Sequence, residues 1–311
     1  MTTGRLTLGI DIGGTKIAAA LVNDDGTLVV RRQIATNARE GGASVLARTI
    51  LLAETIVSSV PRGSVAAVGA GAGGRIDSRR GVVLSATDIL PGWTGAAIAD
   101  GLSERLGLPV SVDNDVNALA SGECRFGAGK GVATVAFLAL GTGVGGALVF
   151  DGRIHHGAHF SGGEFGHLLI DLSPDARLDA GGDRGTLEAY VCGSGLVATY
   201  HEIAGEDAAP VRGEEIASQA LADPDGAAAR AIERTGEYLG LGLASLANAI
   251  DPDMFVIGGG LALLGNRLLD PARRVLSARA LEGPNHCPVK TASLGPDASV
   301  IGAASLAMVS E

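Results

Sequence analysis

Short apolar runs divided by glycine- and aspartate-rich turns open the chain. Leu6 to Ile12 is an unbroken run that reads as a buried strand, and Gly13-Gly14-Thr15 turns it into a second strand over Lys16 to Val22. Asn23-Asp24-Asp25-Gly26 is a hairpin turn, and Thr27 to Ile34 reads as a third strand. The period then becomes helical. Val45, Leu46, Thr49, Ile50, Ala53, Ile56 and Val57 predict a helix over Ala43 to Val60, stopped before Pro61. Val65 to Ala70 predicts another strand, leading into the glycine loop Gly71 to Gly74.

The same order returns in the second half. Ala133 to Leu140 predicts a strand, Gly141 to Gly146 a glycine turn, Ala147 to Phe150 a strand, and Asp151-Gly152 a hairpin turn before Arg153. A long helix is predicted over Ala227 to Ile250, ending at Asp251-Pro252. Met254 to Ile257 follows as a short buried strand opening into Gly258-Gly259-Gly260, and a last apolar helix, Ala303 to Val309, is expected to pack back on the first part of the chain. Two copies of strand, glycine turn, strand and hairpin thus each begin a lobe, a duplication of pattern rather than an array of short repeats. The lobes are expected at 1–118 together with 299–311 and at 119–298, hinged near Asn117–Ser121. Ala204 to Asp225 is polar and turn-rich and reads as a surface excursion.

Length and composition agree with two cores: 311 residues exceed what a single core usually serves. With 48 Gly and only 3% aromatic residues, small-residue packing around tight turns is expected. A net charge of −10 with no basic stripe argues against a nucleic-acid partner. Cys124, Cys192 and Cys287 form no pair pattern, and no signal peptide opens the sequence, so a cytoplasmic protein is expected. Val132 to Phe150 is uncharged and long enough to be scored as a membrane helix, but Gly141 to Gly146 breaks it in the middle; strand, turn, strand fits better, and no membrane is expected.

Three clusters carry chemistry. In Asp11-Ile12-Gly13-Gly14-Thr15-Lys16 a tight turn bares backbone N–H groups to phosphate oxygens, Thr15 adds a hydroxyl, and Asp11 is suited to a hydrated Mg²⁺. The Walker pattern GxxxxGK[ST] is absent. Gly141-Thr142-Gly143-Val144-Gly145-Gly146 supplies a matching turn; the strand predicted after it speaks against a dinucleotide fold, which needs a helix there. Two such turns suit a triphosphate. Between them lies Asp113-Asn114-Asp115-Val116-Asn117, too polar for helix capping alone. In phosphoryl transfer to an alcohol, a carboxylate orients the acceptor hydroxyl and receives its proton late, and Asp115 is the candidate.

In chain order, DIGGTK at 11–16, NDVNA at 114–118, LGTGVGGA at 140–147, GGEFGH at 162–167 and IGGG at 257–260 resemble the ROK family of repressors, open reading frames and kinases. The resemblance covers essentially the whole chain. It implies an α/β, two-lobed actin-like ATPase (ribonuclease H-like) fold with the active site in the interlobe cleft, and an ATP- and Mg²⁺-dependent hexose kinase working on the sugar 6-hydroxyl. Asp115 would be the catalytic base, with Gly73, Asp88, Asn114, Glu164, His167 and Glu188 on the sugar. Asp11, Gly13, Gly14, Thr15, Lys16, Gly141, Thr142 and Gly143 would serve the phosphates, and Gly258, Gly259 and Gly260 the adenosine. A homodimer is implied as well. For single positions a plainer role stays open: His167 as a buried histidine, Glu164 as a turn cap.

The chain departs from the family pattern twice. The family usually holds a structural zinc with the histidine of GExGH and three cysteines of CxCGxxGCxE; here Asp179, Gly181 and Thr186 replace the thiols, so no structural zinc is expected and His167 is left to the sugar, with Glu188 retained. Before the base, the family's hexokinases resemble Asn-Leu-x-x-Trp or Pro-Asn-x-x-Trp, where this chain has Ala86-Thr87-Asp88-Ile89-Leu90-Pro91-Gly92-Trp93. An ionised Asp88 accepts only, which costs a donor toward a neutral sugar and gains a charge-assisted bond toward an ammonium group. The expected substrate is glucose or a 3-amino hexose such as kanosamine; N-acetylmannosamine and N-acetylglucosamine are the alternatives. The residues do not discriminate ATP from polyphosphate as donor. A sugar-sensing repressor is disfavoured because Asp11 stands too near the start of the sequence for a helix-turn-helix ahead of it, and a catalytically dead sugar binder because Asp11, Asp115 and both glycine turns are present.

Overall fold

The computed structural model describes residues 5–87, 90–205 and 209–308. The chain runs β1 (Leu6–Ile12), β2 (Lys16–Val22), β3 (Leu28–Ala35), α1 (Gly42–Val57), β4 (Val65–Ala72), β5 (Arg75–Asp77) and β6 (Val82–Ser85). It continues with α2 (Ile98–Leu106), β7 (Val110–Asn114), α3 (Asp115–Phe126), β8 (Thr134–Leu140), β9 (Val144–Phe150) and β10 (Arg153–Ile154). Then come α4 (Leu187–Val191), α5 (Gly193–Ala204), α6 (Gly213–Ala222), α7 (Ala227–Ile250), β11 (Met254–Gly258), α8 (Asn266–Arg279), β12 (Val289–Thr291) and α9 (Ala298–Ser305). Two compact units result: 1–131 with 152–162 and 293–311, and 132–151 with 163–292.

In the first unit the sheet order is β3-β2-β1-β4-β7, antiparallel along β1, β2 and β3 and parallel from β1 to β4 to β7. One face packs on α1 and α2 through Leu8, Ile10, Val45, Ile56, Ile98 and Leu102, all buried. The other is covered by α9, which approaches closely because Gly9 and Gly69 have no side chains: a Cβ on Gly69 would stand 1.8 Å from the Ala303 carbonyl oxygen, and one on Gly9 2.0 Å from that of Val300. Helices α3 and α9 cross through Gly122 and Gly302 in the same way, a Cβ on Gly302 meeting the Ala118 carbonyl at 2.3 Å. Glu123, 1% exposed, completes the join, its carboxylate accepting from the backbone N–H of Ser293, Leu294 and Ala128 at 2.8–2.9 Å. A buried carboxylate needs this much satisfaction to be tolerated. The expected boundary between residues 118 and 119 therefore falls inside α3, and so does the expected hinge at 117–121: the packing of α3 on α9 keeps the whole helix in the first unit.

The second unit repeats the plan. Strands β8 and β9 are antiparallel, while β8, β11 and β12 run parallel in the order β9-β8-β11-β12. Its core joins Leu138, Phe255 and Ile257 of the sheet to Leu239, Leu243 and Leu268 of α7 and α8. Three sequence expectations are corrected here. The stretch 204–225, read as a surface excursion, contains α6, whose Ile216 and Ala220 are fully buried in this core; two apolar positions four apart suffice when a neighbouring helix receives them. Residues 144–146 belong to β9 rather than to the turn, because Gly146 lacks the Cβ that would strike Gly163 O and the Phe165 ring at 2.4 Å. The last helix, expected from Ala303, begins at Ala298. Among the described residues no helix is long and apolar enough to cross a membrane.

Candidate active site

The first unit gathers its polar groups at the carboxyl ends of parallel strands, where open α/β sheets bind ligands. Asp11 lies at the end of β1 beside the turn to β2. Burial raises its pKa above the ordinary carboxylate value, and a Ser299 hydrogen bond with the Lys16 charge compensates only in part. Such a carboxylate gains from a cation, so Asp11 fits a hydrated Mg²⁺ arriving with a nucleotide. The turn itself is held by Gly13 N to Lys16 O (3.0 Å), by Thr36 Oγ1 donating to Gly13 O (2.6 Å) and by Thr36 N to Thr15 O (3.0 Å). Thr36 is fully buried and was not foreseen; it lies on the neighbouring strand edge, beyond the DIGGTK motif.

Strand β7 ends on Asn114, which caps α3: its Oδ1 accepts from Val116 N (2.8 Å) and Asn117 N (3.4 Å), and its Nδ2 donates to Gly74 O (3.0 Å). Among the described residues, both acceptor lone pairs and one of two amide hydrogens are used, which leaves one N–H for a ligand. Asp115 is the first residue of α3 and half-buried, its Oδ1 accepting from Val116 N at 2.9 Å. Ala72 at the end of β4 pairs with Asn114, and a Cβ on the following Gly73 would touch nothing within 4 Å. Gly73, Asn114 and Asp115 thus share one open strand edge. The polar cluster has more structural work in it than its composition suggests, since Asn114 caps and Asp113 is hydrogen-bonded on both oxygens. Asp88 lies outside the described residues, while Trp93, five positions on, is fully buried in the first core.

In the second unit the turn Gly141–Gly143 is closed by Gly141 N to Gly143 O (2.9 Å) and joined to the start of α5 by Gly193 N to Gly141 O (2.9 Å). A Cβ on Gly141 would meet nothing within 4 Å, an open approach for a phosphate. Glu188, in the first turn of α4, accepts from Val144 N at 2.8 Å, so one of its oxygens is committed to this glycine turn. Glu164 and His167 are exposed; Glu164 stands at the N-cap of the turn 165–167, its carbonyl accepting from His167 N (3.2 Å) but with no side-chain cap, and His167 is not a buried histidine. Gly258 and Gly259 have packing reasons of their own, with Cβ positions 2.9 Å from the Phe137 ring and 2.3 Å from Leu140 O, whereas Gly260 is open.

Metal-capable atoms of His167, Asp179 and Asp183 lie within 4.8 Å of one another. They do not fit a structural zinc. Asp179 Oδ1 accepts from Gly181 N and Asp183 N, both at 2.9 Å, and its Oδ2 accepts from Thr186 Oγ1 at 2.8 Å. Burial pushes the Asp179 pKa up, but these bonds outweigh it and hold the carboxyl below its usual value. Thr186 in turn caps α4 by accepting from Ala189 N (3.3 Å). The loop holds no thiol, and structural zinc sites are built mainly on thiolates, so one imidazole and two carboxylates do not make such a site.

Two units with the same strand plan, each offering a glycine turn at a strand end, define an α/β protein of the actin-like ATPase fold. The ROK family model matches residues 7–309, and the chain belongs to the ROK family. A glucokinase of Streptomyces coelicolor is 35% identical, with 97% of each chain covered. Among solved structures, a ROK hexokinase from Thermus thermophilus is similar with a TM-score of 0.80 at 35% identity, covering 97% of both chains. A ROK glucokinase from Streptomyces griseus, solved in complex with glucose and AMPPNP, is similar with a TM-score of 0.79 at 34% identity, covering 97% of this chain and 99% of that one.

Proposed function

We propose that this chain is an ATP-dependent hexose kinase that phosphorylates the sugar 6-hydroxyl with Asp115 as catalytic base. The enzyme is a phosphotransferase with an alcohol acceptor. The observation that carries the reading is the strand edge where Asp115, on a capped helix start, adjoins the open Gly73 and the unused N–H of Asn114. The glucokinase relatives support the acceptor and donor classes. MgATP enters as substrate: Asp11 holds the hydrated cation, the turns 13–16 and 141–143 offer N–H groups to the phosphates, and Gly260 leaves room for adenosine. The sugar O6 attacks the γ-phosphorus, the bond to the β-bridging oxygen breaks, ADP departs, and the O6 proton passes to the Asp115 carboxylate. Glu164 and His167 are accessible partners for sugar hydroxyls; Glu188, tied to Val144 N, serves the sugar with its remaining oxygen. A homodimer in the cytoplasm, with three free thiols, belongs to the same reading. A panel of glucose, kanosamine, N-acetylmannosamine and N-acetylglucosamine tests it: turnover is expected on the first two, and no ATP-dependent phosphorylation of any hexose would end it.

The finer reading is a 3-amino hexose such as kanosamine. Its support is the acid at position 88, where the family's hexokinases resemble an amide, since a carboxylate gains a charge-assisted bond from an ammonium group. Asp88→Asn is expected to lower kcat/KM for kanosamine by about tenfold while sparing or improving that for glucose, because a hydrogen bond to a charged group contributes about 1.5–3 kcal/mol. An amino-sugar preference that survives the substitution removes the charge argument.

The loop 178–186 is proposed to work without zinc, through Asp179 and Thr186. Elemental analysis of the purified protein is expected to find well under one zinc per chain, and chelator treatment followed by Mg²⁺ to restore full activity. One bound zinc per chain would overturn this.

A further inference from the structure

Asp113, one residue before the capping Asn114, has a side chain only 6% exposed. A buried carboxylate persists when its lone pairs and its charge are both answered. Its Oδ1 accepts from Asn114 N and from Asn117 Nδ2, each at 2.8 Å, and both donors belong to the start of α3. Its Oδ2 meets Nε2 of His156 at 2.6 Å. One carboxylate therefore ties the end of β7, the first turn of α3 and the segment 152–162 together, all within the first unit.

We propose that His156 is a positioning residue for phosphoryl transfer: facing Asp113 Oδ2, it holds that carboxylate in place, and through it the helix start that carries Asp115. The inference rests on the reading of Asp115 as base. Removing His156 takes from the buried Asp113 the side chain that meets its Oδ2. A carboxylate released on that side is free to turn away from Asn114 N and Asn117 Nδ2, and the first turn of α3 loosens. Small displacements at the acceptor hydroxyl are costly to transfer rates.

The hydrogen bond that His156 donates to Asp113 raises its pKa, against burial and the Arg79 charge. Other groups face the pair. Arg79 lies over the Phe160 ring at 5.6 Å, and that ring stands edge-on to His156 at 6.3 Å. Arg125, Arg153 and Cys124 line the 520 Å³ hollow that His156 and Asp113 also border. Cys124 is pushed up to about 12 by burial and stays uncharged. Because the folded value of His156 is raised, the pair is fully present below the ordinary histidine value and is lost as pH rises through the raised one. A neutral imidazole still donates from Nε2, so the loss is of charge, on the alkaline side, rather than of the whole contact.

The test uses the full-length protein and hexose-dependent ADP production. His156→Gln is expected to lower kcat about tenfold with sugar KM within about twofold, and to lack the alkaline fall in kcat expected of the parent. Asp113→Asn/His156→Gln is expected to be no worse than Asp113→Asn alone, within about twofold, since the two act as one unit. In NMR titration the His156 ring of the parent should titrate above the ordinary value of about 6.5 and should fall to or below it in Asp113→Asn, where burial and the Arg79 charge act alone. Unchanged kcat and pH profile in His156→Gln, additive losses in the double variant, or an unraised titration would each overturn the proposal. Turnover retained in Asp115→Asn would instead remove the base assignment, whatever His156→Gln does.

Discussion

Asp115→Asn is expected to lower kcat by about 10²–10⁴-fold, the range for loss of a positioned base, while sugar affinity by calorimetry stays within about twofold. Asparagine keeps an oxygen for the Val116 N–H now bound by Asp115 Oδ1 at 2.9 Å, and Asn114 continues to cap α3. What disappears is a site for the O6 proton, because an amide oxygen does not take up a proton at neutral pH. An interaction made only in the transition state should lower kcat and kcat/KM together. Turnover within tenfold of the parent, in a folded protein that still binds sugar, would take the base role away from Asp115.

The second large effect concerns stability. Gly69→Val puts a branched side chain where even a Cβ would stand 1.8 Å from the Ala303 carbonyl oxygen, so α9 must move off the sheet. Overpacking of this kind typically costs about 1–3 kcal/mol, and here the obstacle is backbone on both sides, which favours the upper end. The melting temperature should fall accordingly. Gly213→Ala is the matched control: it is the first residue of α6, with nothing within 4 Å of the added Cβ. It should be neutral or stabilise by a few tenths of a kcal/mol, given the helix preference of alanine over glycine. Equal stability of Gly69→Val and the parent would mean that α9 does not press on β4 in solution.

Local signals are legible where they are strong. The runs 6–12, 16–22 and 227–250 have the bounds that periodicity predicts, because each is set by its own turn chemistry: Gly13-Gly14, Asn23 to Gly26 and Asp251-Pro252. Helix α6 was missed because only Ile216 and Ala220 mark its buried face, and two positions look like noise until a core receives them. Gly145 and Gly146 were read as turn because glycine is the usual turn residue; here Gly146 is a strand residue thinned so that Gly163 to Phe165 can lie on it. The His155-His156 pair was visible but had no reading, since its partner Asp113 is remote in sequence.

Residue order alone carried the reaction class, the glycine turns, the carboxylates Asp11 and Asp115, and the loss of thiols at 179–186. These are matters of side-chain chemistry and short spacing, which a chain displays without folding. The division of labour inside the polar cluster came only from the tertiary structure. There Asn114 became a cap, Asp113 a buried anchor with His156, and Asp179 with Thr186 a hydrogen-bonded staple. The return of residues 293–308 to the first unit was likewise decided by Glu123 and by glycines at the crossings of α9 with β1, β4 and α3. The physical reason is common to all of them: a buried polar atom or a missing Cβ has meaning only in terms of what lies against it, and in these cases that neighbour comes from elsewhere in the chain or from a turn whose backbone only folding arranges.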